Sequence, residues 1–568
     1  MPPQHHTPLH LAAAAVVAAR AQVSPGDLKV DVPPRAELGD LAVGCFAIAK
    51  ALGKSPAAIA AEIAAGFVPT PLLARATAAG PFVNFKADRP ATFRWVIDTA
   101  LRSALVPQLG NGAAICIDYS SPNISKHLAY HHIRSTVIGH ALAKIFAALG
   151  YRPVGINFVG DWGTTHGMII AAWKKWGPIE PLTIDVLNDL YVRYREAAKT
   201  DAALAAEGPA WFKRLEQGDP DARALWQRFY DVSWSEFESV YRMLGVVFDE
   251  VRGESAYEAD LPGVIAELTE KGLVTESQGA LVVAIPGVEK PILLQKADGA
   301  TLYATRDFAS AKYRWSTYRF ERSLYVVARE QALHFKELFK LLELAGYEWA
   351  KRCEHVPFGL VRMGGRKTGT RSGNVVLLRE VFSQAEDGVR ARIAESVPAD
   401  AVEATARMVG VGAVVFANLA TQRDKDIDFE WERVLSTEGD SGPYLQYSHA
   451  RCASIARKAG ESVASIDGVD LSKLGTDQEW AVAKRLLEFG DIVARAGAAC
   501  EPHVICHYLL ELAGDFSRWY TAGIAVAALR VICDDAPTRR ARLALTAAVQ
   551  AALRDGLALL GLGAPDQM

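Results

Sequence analysis

The sequence predicts an α/β chain: a doubly wound parallel sheet with helices on both faces, a small α/β unit before it and an all-α bundle after it. Three observations predict this. Strand-like and helix-like segments alternate through residues 114–159, the β-α-β rhythm of a parallel sheet with a ligand crevice at its carboxyl edge. From about Glu380 onward helical periodicity runs with almost no strand signal. Ahead of residue 105, Ala-rich helical stretches accompany one clearly alternating strand.

In chain order, Leu41–Leu52 and Ala57–Ala65 have helical apolar spacing, and Gly53 stops the first. Phe82-Val-Asn-Phe-Lys86 alternates as a strand does, and Val106-Pro-Gln-Leu-Gly-Asn-Gly112 punctuates the chain as a linker. A strand follows at Ala114–Tyr119. The next helix places Ile133, Val137, Ala141 and Ile145 on one face and ends near Gly150. Val154–Val159 is the next strand, charged helical material fills roughly 185–275, and Ser323–Ala328 is a late strand of the same sheet. The expected domains are 1–105, 106–380 and 381–568.

Composition narrows the class. Charged residues make up 22% of the 568 and hydrophobic residues 50%, an ordinary globular balance. The net charge of −3 gives no global basic signature, so any nucleic-acid partner must meet a local basic face. Seven cysteines, none in a Cys-x-x-Cys pair, read as core residues of a reducing compartment. With no run of 18 uncharged apolar residues and no basic-then-apolar start, no membrane partner or secretory signal is expected, and the expected location is cytoplasmic.

Three segments carry candidate chemistry. Residues 118–139 read as a strand end turning into a helix, with Asp118, Ser120, Ser121 and Asn123 near free N–H groups suited to a carboxylate or phosphate. Read alone, Ser121 and Asn123 serve equally well as caps. Met363-Gly-Gly-Arg-Lys-Thr-Gly-Thr-Arg-Ser-Gly373 is a basic loop after the last sheet strand. Tyr444, Tyr447, Trp519 and Tyr520 offer flat faces for unstacked bases, with Arg451 for phosphate; in a helical bundle such aromatics are more often core.

Ser-Pro-Asn-Ile-Ser-Lys126, Ile-Arg-Ser-Thr-Val-Ile-Gly139 and Val-Gly-Asp-Trp-Gly-Thr164 resemble the class I arginyl-tRNA synthetases. So do Tyr303-Ala-Thr-Arg-Asp307, Val327-Ala-Arg-Glu-Gln-Ala-Leu-His-Phe335, Phe429-Glu-Trp431, Ser436–Tyr447 and Gly561–Met568. Glu37-Leu-Gly-Asp40 and Pro81-Phe-Val-Asn-Phe85 match the extra domain at that family's front. The likeness covers essentially the whole chain. It implies a Rossmann-like class I synthetase sheet, an N-terminal accessory domain and an anticodon-binding bundle.

The resemblance also implies roles. A guanidinium offers five planar donors and needs a carboxylate and a phenol oxygen around it; the family places such groups at Tyr303 and Asp307, with Asp118, Asn123 and Gln331 at the α-amino end. Lys126 and His132 would serve the phosphates, Ser121, His132 and Lys367 would hold ATP, and Lys367 and Arg371 would neutralise triphosphate charge. Tyr444, Tyr447 and Met568 match anticodon-contact positions. ATP with Mg2+ as counter-ion, arginine and tRNA are the implied cofactor and partners; no structural metal and a monomer are expected.

One motif departs from the family. Its His-x-Gly-His falls on Ala129-Tyr130-His131-His132, so the first His is Ala129 and the Gly is His131. Removing one donor that stabilises a developing oxyanion costs about 10²–10³ in rate, and a glycine lets a ring pack on bare backbone. His127, two residues before Ala129, is a candidate substitute. The leading expectation is ATP-dependent attachment of arginine to tRNA through arginyl-adenylate. The second is a family relative that binds arginine or tRNA without efficient adenylation.

Overall fold

The computed structural model describes residues 7–21, 23–35, 37–297, 299–363, 376–393 and 397–568, together with the backbone at 366–367. The chain forms two compact units, one of residues 110–392 and 409–435, the other of 1–109, 393–408 and 436–568.

In the first unit five strands form a parallel sheet in the order Cys353–His355, Arg322–Tyr325, Ala114–Asp118, Arg152–Asn157, Glu250–Val251. Ala114–Asp118 is the central strand and every residue of it is buried. Such a strand has no polar face and reads as a continuous apolar run. Helix Ile133–Ala148 follows it and buries Ile133, Val137, Ala141 and Ile145, the face its spacing predicts. Helix Tyr303–Tyr318 leads into Arg322–Tyr325. Helices Ile184–Ala197, Ala202–Glu216 and Pro220–Leu244 interrupt the sheet as an insertion, and close on an aromatic core of Trp162, Trp173, Phe212 and Phe229. A small antiparallel sheet of Val274–Ser277, Ala280–Val283 and Ile292–Gln295 precedes Tyr303.

The corner after Asp118 differs from the expected strand-to-helix turn. Ser120, Ser121 and Ser125 all have positive φ (69°, 46° and 63°), a conformation uncommon outside glycine. Each is held by a hydrogen bond. Ser120 N donates to Ser135 Oγ at 2.9 Å, Ser121 Oγ to Asp118 Oδ1 at 2.7 Å, and Ser125 N to Ser233 Oγ at 2.8 Å. The helix therefore begins only at Ile133, after a short 3-10 turn at Tyr130–His132. Asn123 caps no helix and instead bridges to Gly160 in parallel fashion.

The second unit holds a four-stranded antiparallel sheet, ordered Val30–Asp31, Leu41–Gly44, Phe82–Ala87, Leu73–Ala79. Leu41–Gly44 is thus a strand and only Phe46–Leu52 is helix. Leu41, Ala42 and Val43 are all buried, so the alternation that marks a half-buried strand is missing there. Long helices Gly442–Ala459, Asp477–Ala499, His503–Ala525 and Ala536–Leu559 form the bundle. Thr476 and Glu479 make a capping box, and the buried Glu479 also accepts from Arg542 Nε at 2.7 Å. Trp480 Nε1 donates to Asp40 Oδ1 at 3.0 Å, which makes the acidic end of Glu37-Leu-Gly-Asp40 a structural acceptor. Helix Val402–Leu419 has the length and hydropathy of a membrane span, but 67% of it is buried in the fold, as in a core helix.

Helix Ile133–Ala148 approaches the central strand at Gly139, where an added Cβ would lie 2.2 Å from Tyr119 Cβ and Cγ. Rotation of the Tyr119 ring cannot relieve a clash with its own Cβ. Gly139→Ala gains up to about 1 kcal/mol of helix propensity but incurs an overpacking cost of about 1–3 kcal/mol or more. A lower thermal unfolding midpoint is expected by circular dichroism; an unchanged or higher midpoint would contradict this packing.

Candidate active site

At the carboxyl edge of the parallel sheet lies a cleft of about 470 Å³. Its wall includes Asp118, Ser121, Asn123, His131, His132 and Gln331, and also Tyr303, Asp307, Glu254 and His334. These residues come from five separate stretches of chain. The two groups proposed to meet a guanidinium, Tyr303 and Asp307, therefore share one cavity with Asn123 and Gln331.

Tyr303 and Asp307 begin helix Tyr303–Tyr318, one turn apart on one face. Tyr303 is 55% exposed, its ring edge-on to His334 with centroids 4.9 Å apart. His334 Nε2 donates to Asp307 Oδ2 at 2.6 Å. Farther along the same helix, Arg314 is fully buried and pairs with Asp118 Oδ2 at 2.7 Å. Asp118 thus has one oxygen on Arg314 and the other on Ser121, so its share in binding an ammonium group rests on the lone pairs that remain. Ser121 Oγ also accepts from Phe158 N at 3.1 Å.

Asn123 depends on Gly160. An added Cβ at Gly160 would lie 1.9 Å from Asn123 Oδ1, so the glycine of Val-Gly-Asp-Trp-Gly-Thr leaves the space that the amide occupies. The following Asp161 is buried and accepts from Ser255 N at 2.9 Å and Ser255 Oγ at 2.6 Å.

The altered motif lies on the cleft wall. His132 Nδ1 accepts from Ala129 N at 3.1 Å. Burial, then the neighbouring His131 and Lys126, lowers its pKa to about 3, so the ring is neutral near pH 7. His131 stacks on it with centroids 3.9 Å apart, and burial lowers its pKa too. His131 Nδ1 is buried with no hydrogen-bond partner among the described residues, leaving a polar atom that a bound ligand can satisfy. Tyr130 turns away from the cleft, and its hydroxyl accepts from Asn418 Nδ2 at 3.1 Å.

Lys126 and His127 lie outside the cleft, and the side chains of Lys367 and Arg371 are not among those described. Lys126 does not line the cleft; its ammonium sits 5.0 Å from the ring centroid of Tyr191 on the helical insertion. His127 is not a substitute for the missing His, because its Nε2 meets Asp185 Oδ1 at 3.1 Å. Lys367 is described only as backbone, in strand Arg366–Lys367 opposite Val361–Met363. Arg371 lies outside the described residues. No group of three or more His, Cys, Asp or Glu side chains suited to a metal occurs among the described residues.

Glu254 and His334 were missed in the sequence. Glu254 Oε2 pairs with Arg306 Nε at 2.9 Å. Its pKa is raised to about 7, first by burial and then by Asp307 and Asp161, against the lowering effect of Arg306. No local pattern marks it, since it lies 49 residues before Tyr303 in a 3-10 turn. His334 stood inside the quoted Val327–Phe335 stretch without an assigned role.

In the bundle, Tyr447, Arg451, Tyr520 and Met568 line a surface hollow together with Arg457 and Lys458. Arg451 lies 4.8 Å from the ring centroid of Tyr447 and 5.6 Å from that of Tyr520, a cation–π cluster. Tyr444 is outside the hollow. Trp519 is fully buried, so it is a core residue and offers no face to a base.

A five-stranded parallel sheet with a polar cleft at its carboxyl edge is a nucleotide-binding kind of catalytic domain, here joined to an all-α bundle. The chain belongs to the arginyl-tRNA synthetase family of class I. The model of the class I (R) synthetase catalytic domain matches residues 97–431, that of the arginyl-tRNA synthetase N-terminal domain 9–87, and that of the DALR anticodon binding domain 445–568. The arginine–tRNA ligase of Exiguobacterium sibiricum is 44% identical over 546 residues, 95% of each chain. That of Lactococcus lactis subsp. cremoris is 43% identical over 547 residues, again 95% of each. Among solved structures, Thermus thermophilus arginyl-tRNA synthetase superposes with a TM-score of 0.82 at 29% identity, covering 98% of this chain and 99% of that one. The Plasmodium falciparum enzyme shares the fold, with a TM-score of 0.80 at 21% identity and coverage of 99% and 100%.

Glu254 gives the cleft a pH dependence. A cationic ligand favours the ionised carboxylate, so its affinity should rise as pH increases through about 7 and level off above. Calorimetric titration with arginine at pH 6, in buffers of different ionisation enthalpy, should show proton release that Glu254→Gln abolishes. Unchanged affinity between pH 6 and 8 would contradict the assignment. Gly160→Ala should displace Asn123 and weaken arginine binding by about 10-fold, the worth of one hydrogen bond to a charged group.

Proposed function

We infer that this chain attaches arginine to tRNA at the expense of ATP. The observation that carries the reading is the meeting of Tyr303, Asp307, Glu254, Gln331 and Asn123 in one cleft, within a stretch matched by the class I (R) catalytic model. The carboxylates and phenol give a guanidinium its acceptors. Asn123, Gln331 and the remaining lone pairs of Asp118 receive the α-amino end. The carboxylate of arginine attacks the α-phosphorus of ATP, forming arginyl-adenylate and releasing pyrophosphate. The 3′-terminal ribose of tRNA then takes the arginyl group and AMP leaves.

On the nucleotide side, Ser121 keeps Asp118 and the Phe158 amide in register, and neutral His132 lines the site as a hydrogen-bonding group. Lys126, Lys367 and Arg371 are proposed to meet the triphosphate, with Mg2+ as its counter-ion. Lys126 would have to leave the Tyr191 ring to do so. Tyr444, Tyr447 and Met568 are proposed as anticodon contacts, supported for Tyr447 and Met568 by their place in the cationic-aromatic hollow. The division into 1–105, 106–380 and 381–568, a monomeric state and a cytoplasmic location complete the proposal. The three matched family models, 9–87, 97–431 and 445–568, support three domains in this order, with the second model extending past residue 380. The relatives at 40–44% identity, all named arginine–tRNA ligases, favour the ligase over a non-adenylating relative.

Pyrophosphate exchange tests this reading. Arginine-dependent exchange is expected, and Asp307→Asn should lower kcat/KM for arginine by about 10² or more, the usual result of leaving a buried charge unpaired. The double variant Ala129→His, His131→Gly should raise kcat, because it returns a phosphate-side donor worth about 10²–10³. No gain would show that the stacked pair already serves the nucleotide. Absence of exchange with arginine, with and without tRNA, would overturn the function.

A further inference from the structure

We propose that His334 is a positioning residue for the guanidinium site, setting both Tyr303 and Asp307 and thereby the selectivity of the cleft for arginine's charge. The proposal rests on the reading of the cleft as an arginine site and assigns the residue that organises it.

The geometry is specific. The imidazole of His334 touches both members of the pair at once, donating from Nε2 to Asp307 Oδ2 at 2.6 Å and lying edge-on to the Tyr303 ring at 4.9 Å. Both side chains of that hydrogen bond are mostly buried, 15% and 18% exposed. Tyr303 is 55% exposed and its hydroxyl makes no hydrogen bond among the described residues, so the imidazole edge is a main lateral support of its ring. His334 is itself fixed from behind, by Phe335 at 5.2 Å between centroids. Phe335 in turn stacks on His355 at 4.7 Å, a residue of the edge strand Cys353–His355. The imidazole thus transmits the position of the sheet to a pair of side chains at the start of a helix, where they would otherwise choose among rotamers.

The chemical consequence concerns the carboxylate. With Oδ2 engaged by His334, Asp307 presents its carboxylate plane in one orientation and keeps Oδ1 for the ligand. A planar guanidinium gains most from an acceptor of fixed orientation, because its donors are themselves rigid. A neutral ureido analogue of the same shape gains little from it. Loss of His334 should therefore cost arginine more than citrulline.

The test uses the full-length chain, with arginine and citrulline binding measured by calorimetry and KM for arginine and for ATP measured by pyrophosphate exchange. His334→Ala should weaken arginine about 10-fold, leave citrulline and the KM for ATP within about twofold, and so narrow the arginine-to-citrulline ratio. His334→Gln, which can donate to Asp307, should recover most of the affinity; His334→Phe, which keeps only the ring edge, should not. If His334→Ala does not fold, judged by its melting curve, the contrast between the Gln and Phe variants carries the test. Equal arginine affinity in His334→Ala and the unaltered chain overturns the proposal, as does failure of Gln to outperform Phe, or an equal rise in KM for ATP. An unaltered chain that does not bind arginine at all overturns the arginine-site reading itself, a result separable from the others.

Discussion

The buried ion pair between Asp118 and Arg314 is the constraint on which the rest of the cleft depends. Asp118 ends the central strand of the sheet, and Arg314 lies on the helix that also carries Tyr303 and Asp307. The two meet at 2.7 Å with side chains 6% and 1% exposed. Arg314 is seven residues beyond Asp307, which places the pin about 10 Å along the helix from the carboxylate. It therefore fixes the rotation of that helix against the strand that leads to Asn123. Phe158 and Tyr325 flank the guanidinium at 5.6 and 5.0 Å. Breaking such a pair by removing one partner typically costs 3–5 kcal/mol, because a charge is left uncompensated in the interior.

Around that pin, much of the sequence that looks chemical is scaffolding. The serines of Ser120–Ser125 hold a left-handed corner by bonding to Ser135, Asp118 and Ser233. Ser135 Oγ in turn donates to Val326 O at 2.7 Å, tying the corner to the stretch that follows the neighbouring strand. Arg134, also buried, donates to the carbonyls of Gly359 and Lys425 at 3.0 and 2.6 Å. These bonds make the corner rigid enough to place Asn123 beside Gly160, and rigidity there is what orients a ligand for attack. The chemistry we propose draws on fewer side chains, which the cleft brings together: Tyr303, Asp307, Glu254, Gln331, Asn123 and the histidines of the altered motif.

The sequence made the parallel sheet and the helix of Ile133, Val137, Ala141 and Ile145 legible, since each rests on a period that the residues display, whereas the pairing of Tyr303 with Asp307 came from the family resemblance. Leu41–Gly44 was misread because a strand buried on both faces lacks alternation. The corner at 120–125 was misread because three serines in left-handed conformation leave no local signature. Glu254 was invisible for a different reason: its raised pKa comes from burial beside Asp161 and Asp307, which only the fold brings together. Lys126 and His127 illustrate the converse. Proximity to the altered motif suggested a phosphate contact for His127, and the family resemblance suggested one for Lys126; in this structure the helical insertion holds His127 at Asp185 and Lys126 over Tyr191. Trp519 shows that an aromatic on a helical bundle is decided by which face it occupies, and it occupies the core.

The most direct measurement is a crystal structure of the full chain with arginine bound. The account predicts the guanidinium between the Tyr303 hydroxyl and the Asp307 carboxylate, the α-amino group toward Asn123 and Gln331, and Asp118 still paired with Arg314. An empty cleft, or arginine bound with its guanidinium away from Asp307, would contradict it.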